Sequence, residues 1–274
     1  MAGLNSPLRN QSQGENRGAS QVASSVTDGS DISTVPVISA NLVIPAIEAD
    51  AVCKRYGKVR ALNNFSLKIA PGEVFGLLGP NGSGKTTFLR TLCGYLAPSS
   101  GSIRVLGHDV VKDAMAARAQ IGYAPESAAL YRHMRVGEFL RFAARLRGVA
   151  KARVNESVDR VAEMVAITDR LNTPIPALSR GYRQRVGIAQ ALVHAPNVVV
   201  LDEPTNGLDP RQIIETRELI RRLAGHHTVL MSSHILSEVH KVADRVAVLL
   251  DGELKGVRTM ADTPDLEGWF LSLA

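Results

Sequence analysis

The residues best suited to chemistry are Gly79-Pro80-Asn81-Gly82-Ser83-Gly84-Lys85-Thr86, which fit the spacing G-x-x-x-x-G-K-[ST]. A polyphosphate is wrapped by backbone N–H groups, and glycines let the chain approach it closely. Lys85 would reach the β- and γ-phosphates as a point charge, Thr86 would offer its hydroxyl to Mg²⁺, and Thr87 extends the same binding segment. A Gly-rich turn can match such a pattern by chance. Here an apolar strand candidate, Val74–Leu78, precedes it and a plausible helix, Thr86–Leu96, follows it, so that the helix N-terminus adds its dipole. A second set is Val198-Val199-Val200-Leu201-Asp202-Glu203. Four apolar residues suit a strand buried on both faces, and Asp202 emerges at its carboxyl end, where α/β sheets place ligands. Asp202 would hold Mg²⁺, directly or through water, and Glu203 would accept a proton from an attacking water. Taken alone, an Asp-Glu pair after a strand reads as a solvated loop; beside a phosphate cradle it reads as a hydrolytic pair.

These residues need strands and helices to hold them. Short strand candidates come first, at Ala51–Cys53, Phe65–Ile69 and Val74–Leu78, then Ile103–Leu106 closed by Gly107. Pro71-Gly72-Glu73 marks a turn. Val136–Leu146 carries apolar residues at helical spacing, and Val158, Val161, Ala162, Val165 and Ile167 continue it in a second helix. The last third alternates: a helix through Val186–Val193, the strand Val198–Leu201, a helix over about 212–223, the strand Thr228–Met231, and the strand Val246–Leu250 turning at Asp251-Gly252. Strands at both ends with helices between them predict an α/β core with a helical insertion over about residues 127–180. No internal repeat is visible. Residues 1–44, rich in Ser, Gln, Asn and Gly, are expected to form a disordered extension, leaving 45–274 as the folded domain.

The chain has 274 residues, 45% of them hydrophobic and 21% charged, which is a globular composition. No apolar run is long enough to span a bilayer. Gly3, Asn5, Pro7 and Arg9 interrupt any apolar core at the Met1 end, so no signal peptide is expected. Cys53 and Cys93 have no metal-ligand spacing and read as two buried thiols. The net charge of +6 is spread along the chain, without a basic block; it permits nucleic-acid or membrane contact without requiring either.

Between the two chemical motifs lies Leu178-Ser179-Arg180-Gly181-Tyr182-Arg183-Gln184-Arg185. With the cradle, it resembles the Leu-Ser-Gly-Gly-Gln signature of the ATP-binding cassette (ABC) family. Ser179 and Gly181 match; Arg180 and Tyr182 replace the first glycine and the glutamine. That variant is similar to bacterial ABC-2-type exporter and gliding-associated cassettes. The resemblance runs from about residue 46 to 274. It implies the ABC ATPase fold: a P-loop NTPase core with an antiparallel β subdomain and an inserted helical subdomain. It implies that Tyr56 stacks on adenine, that Asp209 in Gly207-Leu208-Asp209-Pro210 reports across a dimer, and that His234 contacts the γ-phosphate and the attacking water. His108, His133, His194, His226, His227 and His240 match no motif and read as surface or core residues. Glu126, in Ile121-Gly122-Tyr123-Ala124-Pro125-Glu126, stands where the family has glutamine. A carboxylate can ligate Mg²⁺ but, when ionised, cannot donate a hydrogen bond. Glu126 is expected to sense Mg²⁺ and to couple to a membrane partner.

The resemblance thus implies an ATPase using ATP and Mg²⁺, with Glu203, His234 and Lys85 catalytic. Two copies, or one copy and a related ATP-binding subunit, would sandwich ATP between one chain's cradle and the other's Ser179 and Gly181. A separate multispanning permease would hold the chain at the cytoplasmic face of the membrane, most consistent with an exporter. No nucleic-acid partner is expected. The competing readings are a soluble cassette ATPase acting on nucleic acid or ribosomes, and a P-loop kinase. The stretch from Thr87 to Leu178 is too short for the long coiled coil of DNA-repair cassettes, and a P-loop kinase needs neither the signature nor His234.

Overall fold

A computed structural model describes residues 44–273. All but the last residue of the expected N-terminal extension therefore lie outside the described residues. β1 (Ile47–Tyr56) and β2 (Val59–Ile69) form a hairpin. β3 (Val74–Leu78) runs into the cradle and α1 (Lys85–Leu92) leaves it. β4 (Ser100–Val105), β5 (His108–Asp109), α2 (Ala114–Ala119) and β6 (Ile121–Ala124) follow. Next come α3 (Val136–Leu146), α4 (Val154–Met164) and α5 (Arg180–Leu192). The remainder alternates: β7 (Val198–Leu201), α6 (Pro210–Leu223), β8 (Thr228–Ser233), α7 (Leu236–Val242), β9 (Arg245–Leu250), β10 (Glu253–Thr259) and α8 (Leu266–Leu273).

The strands make two sheets. One is antiparallel, in the order β2-β1-β4-β5. The other has the order β10-β9-β3-β8-β7-β6 and is parallel except for β10. Every residue of β3, β6, β7 and β8 is buried, which is why β7 reads Val-Val-Val-Leu without alternation. Phe65 of β2 and Phe88 of α1 meet with ring centroids 4.4 Å apart, joining the antiparallel sheet to the cradle helix. On the other face, α3 buries Val136, Phe139, Leu140, Ala143 and Ala144 against Val158, Val161 and Ala162 of α4 and the flank of α5. The spacing of three and four residues seen in the sequence is this buried stripe.

Local chemistry adjusts several of the expected boundaries. The helix after the cradle ends at Leu92 rather than Leu96. Gly94 takes φ +73°, its N–H bonds to the Thr91 carbonyl, and the Tyr95 N–H bonds to the Arg90 carbonyl, a Schellman motif. α5 starts at Arg180, within the signature segment and ahead of the apolar run Val186–Val193, and Ser179 caps it by accepting from the Tyr182 N–H at 3.4 Å. Cys93 is buried, and burial pushes its thiol up. Cys53 is only half-buried, so the expectation of two buried thiols fails there; its Sγ accepts from the Asn64 N–H at 3.3 Å in an irregular stretch of the hairpin.

Two close approaches lock the layers. A Cβ at Gly76 would lie 2.4 Å from the Val239 side chain of α7. A Cβ at Gly122 would lie 2.0 Å from the Ala191 carbonyl oxygen, so the bare glycine lets the end of α5 press directly on β6.

Candidate functional site

Register decides what meets at the carboxyl edge of the parallel sheet. Leu78 pairs with Ser233, and Leu201 pairs with Met231. The loop after β3 therefore opens beside His234, and Asp202 and Glu203 emerge beside Ser232. The resulting cleft has a volume of about 300 Å³. Asn81, Gly82, Gly84, Lys85, Thr86 and Thr87 line one side, with Glu126, Glu203, Asn206, His234 and Ala61 around them.

The cradle is built for close approach. Gly84 has φ +107°, and a Cβ there would lie 2.4 Å from the Ala61 carbonyl oxygen. Gly82 has φ +83° with open space about it. A Cβ at Gly79 would strike the Leu249 carbonyl oxygen, and the Pro80 carbonyl closes the loop by accepting from the Ser83 N–H. α1 begins with no side-chain cap and no acidic residue in its first turn, so its N–H groups are left for an anion. The Ser83 hydroxyl is buried and has no partner among the described residues. These features fit a polyphosphate.

Lys85 and Glu203 are both buried. Lys85 Nζ donates to the Gly79 carbonyl at 2.8 Å and to the Pro80 carbonyl at 3.2 Å, and lies 3.3 Å from Glu203 Oε1. His234 Nδ1 lies 2.9 Å from Glu203 Oε2. Glu203 itself sits at φ +48°, a conformation that costs a non-glycine residue about 1–3 kcal/mol and that collects at functional sites. The hydroxyl of Ser232 offsets that cost by accepting from the Glu203 N–H at 3.0 Å. The same hydroxyl donates to Asp202 Oδ1 at 2.7 Å. Thr86 Oγ1 donates to Asp202 Oδ1 at 3.4 Å, and the Tyr123 hydroxyl donates to Oδ2 at 3.4 Å. Burial raises the Asp202 carboxyl above its ordinary range, opposed by the Ser232 and Thr86 hydrogen bonds. Thr86 and Asp202 thus offer a hydroxyl and a carboxylate side by side, the donor set of a cation that takes its other ligands from phosphate and water.

Not every residue named from the sequence lines the cleft. Tyr56, at the end of β1, is exposed, and the Lys54 ammonium lies 5.4 Å from its ring centre. Ser179, Gly181 and Asp209 also lie outside the lining. Asp209 caps α6 by accepting from the Gln212 N–H at 2.9 Å. The signature and the Asp209 loop do meet each other: Arg180 donates to the Asn206 carbonyl at 2.9 Å, and Gly181 packs against the Gln212 side chain. Glu126 stands between the two regions. It accepts from Asn206 Nδ2 at 2.7 Å and also lines a second cleft with Arg180, Arg183 and Gln184. Tyr182 holds its ring 4.9 Å from the Arg170 guanidinium and 6.0 Å from that of Arg185. Sequence reasoning gave no role to Asn206, Ser232 or Tyr123. Parallel register would have exposed Ser232, since extending Leu201↔Met231 by one residue sets it beside Asp202.

A family model for ABC transporter matches residues 62–206. The chain is 37% identical over 237 residues to the uncharacterized ABC transporter ATP-binding protein YxlF of Bacillus subtilis, covering 81% of this chain and 79% of that protein. It is 39% identical over 209 residues to the Nod factor export ATP-binding protein I of Paraburkholderia xenovorans, covering 76% and 68%. Among solved structures, it is similar to CbiO1 of Clostridium perfringens, part of the ABC transporter complex cbiONQ, with TM-score 0.74 and 26% identity over 84% of this chain and 94% of that one. It shares its fold with MJ0796, a bacterial ABC transporter cassette solved as a dimer, with TM-score 0.71 and 24% identity over 78% and 98%.

Proposed function

Because this chain belongs to the ABC transporter family, and so binds and hydrolyses ATP as a transporter's nucleotide-binding subunit, we propose that two such chains close on ATP and drive export through a separate permease. One observation carries the pairing. Ser179 and Gly181 open a 13-residue helix with phosphate-binding capacity, yet neither reaches the cleft of its own chain. A second copy, or a related ATP-binding subunit, supplies the missing half. The dimeric state of MJ0796 supports this arrangement.

Within the closed site, Lys85 and the cradle N–H groups hold the β- and γ-phosphates, and Tyr56 offers its exposed ring to the base. Thr86, Asp202 and Glu126 would hold Mg²⁺, which would neutralise charge on the phosphates. Glu203 takes the proton of the attacking water, and His234 orients the carboxylate and the γ-phosphate. No helix among the described residues is long and apolar enough to cross a membrane, and in this reading a separate permease supplies the pore.

That partner has a docking place beside Glu126. Exposed Tyr95, Tyr131 and Leu146 wall a groove with Phe139 and Phe142. Tyr131 meets both phenylalanines edge-on, at 5.9 and 5.4 Å. Arg147 also lines it, and together with Arg118 lines an adjoining pocket. The groove fits a short amphipathic helix of the permease with an acidic residue at one end. With that helix docked, the chain would sit peripherally at the cytoplasmic face of the membrane. The export relative supports the direction.

Two measurements test this reading. Glu203→Gln should abolish hydrolysis and give an ATP-dependent dimer by light scattering; monomer at saturating ATP would overturn the pairing. Detergent-solubilised membranes should yield a multispanning protein with the chain, whereas co-purifying RNA or DNA would favour a soluble cassette.

A further inference from the structure

Tyr123 connects two places that the proposed function uses separately. It lies in β6, paired with Val200 of β7, and its side chain is 6% exposed. Its hydroxyl donates to Asp202 Oδ2 at 3.4 Å. The other carboxylate oxygen, Oδ1, takes both the Ser232 and Thr86 hydroxyls. Among the described residues, Tyr123 is thus the side chain that hydrogen-bonds Oδ2, where it can bear on the rotation of the carboxylate about its Cβ–Cγ axis. The ring of Tyr123 packs on Tyr95, with centroids 5.6 Å apart and planes inclined at 52°. Both rings are walls of the aromatic groove. One rigid side chain therefore has an edge in the groove and a hydroxyl on the carboxylate at the heart of the cleft.

We propose that Tyr123 is a positioning residue for Asp202, and that through its ring the packing of the groove bears on how Asp202 presents itself to a bound divalent cation. The first half stands on geometry alone. The second rests on the groove being the docking place, although its test does not need the permease. A rigid aromatic ring suits such a link. It has only two side-chain torsions, and Tyr95 and the sheet hold the ring while Asp202 holds the hydroxyl. A hydroxyl acting through a metal ligand typically governs metal affinity or activity by about 10- to 100-fold.

Tyr123→Phe removes the hydroxyl and keeps the ring. Mn²⁺, as a paramagnetic probe, is titrated into the full chain with ADP and followed by electron paramagnetic resonance. The variant is expected to bind Mn²⁺ about tenfold more weakly. ADP binding in the presence of EDTA, and the melting temperature, should stay close to those of the parent chain. Unchanged Mn²⁺ affinity would overturn the positioning role, and an equal loss of ADP affinity without metal would reduce Tyr123 to a general packing residue. The groove is tested by Tyr95→Ala, made in the parent and in the Tyr123→Phe chain. Tyr95→Ala is expected to shift Mn²⁺ affinity in the parent and to have little further effect once the hydroxyl is gone. Equal effects in both backgrounds, or no effect in either, would overturn the link between groove and carboxylate.

Discussion

His234 Nδ1 lies 2.9 Å from Glu203 Oε2, while Lys85 Nζ lies 3.3 Å from Glu203 Oε1. The two oxygens of one buried carboxylate are thus engaged by groups from two other elements, the cradle and the loop after β8. With Nδ1 protonated, the imidazole donates to the carboxylate and leaves Nε2 free.

His234→Ala removes the group that aligns Glu203 without touching the cradle. Steady-state hydrolysis should fall by about two to three orders of magnitude in kcat, with a much smaller change in ATP affinity. Comparing kcat with nucleotide binding by fluorescence titration checks this. An equal loss in both would make His234 a binding residue.

Glu126→Gln keeps an oxygen able to accept from Asn206, whose Nδ2 lies 2.7 Å from Glu126 Oε1. The variant also restores the residue usual in the family. Hydrolysis should persist within several-fold of the parent rate. A complete loss would mean that the negative charge, and not merely an oxygen at this position, is required.

Arg217 holds Glu238 through two parallel hydrogen bonds, Nε to Oε2 at 2.8 Å and a second from Nη2 to Oε1. Glu238 is buried, so removing its partner leaves an uncompensated carboxylate. Arg217→Ala should cost about 3–5 kcal/mol, read as a lowered urea midpoint. Because α7 presses on Gly76 in β3, loosening it should also weaken nucleotide binding.

His194 reports on acid stability. Burial, then the Arg147 charge, depresses its imidazole to about 4. Its Nε2 lies 3.1 Å from the Ile121 carbonyl oxygen. The unfolded chain titrates near 6.5, so between about 6.5 and 4 it binds more protons than the folded chain. The contribution of His194 is therefore complete above pH 6.5 and declines as pH falls toward 4. Burial lowers His227 in the same direction. Urea midpoints measured from pH 7.5 to 4.5 should fall, and His194→Gln should flatten that fall. An unchanged slope would show that other groups dominate.

The phosphate cradle, the β7 strand and the α3 stripe were legible because each is local: a spacing, a run or a period within a dozen residues. Ser232 was not, because its importance comes from lying beside Asp202, thirty residues away, through parallel register. Tyr123 stands in the sequence only as part of the segment leading to Glu126, and only the fold shows that segment as a strand with the Tyr123 hydroxyl reaching Asp202, just past β7. The start of α5 carries no apolar signal because its first turn is polar; the signature segment, with Ser179 as cap, is what made it legible. The roles of Tyr56, Ser179, Gly181 and Asp209 came from family likeness; none lines the cleft of a single chain.

The contact at Gly122 has a mechanical meaning. Near its last turn α5 rests on the backbone of β6, and at its first turn it presents Ser179 and Gly181. At 13 residues it is a rod of about 20 Å with a fulcrum at one end. A tilt of about five degrees about that fulcrum swings the far tip by about 2 Å, enough to make or break a hydrogen bond to phosphate. Any bulk added at Gly122 would shift the fulcrum, and so spoil the reach of a tip a full helix length away.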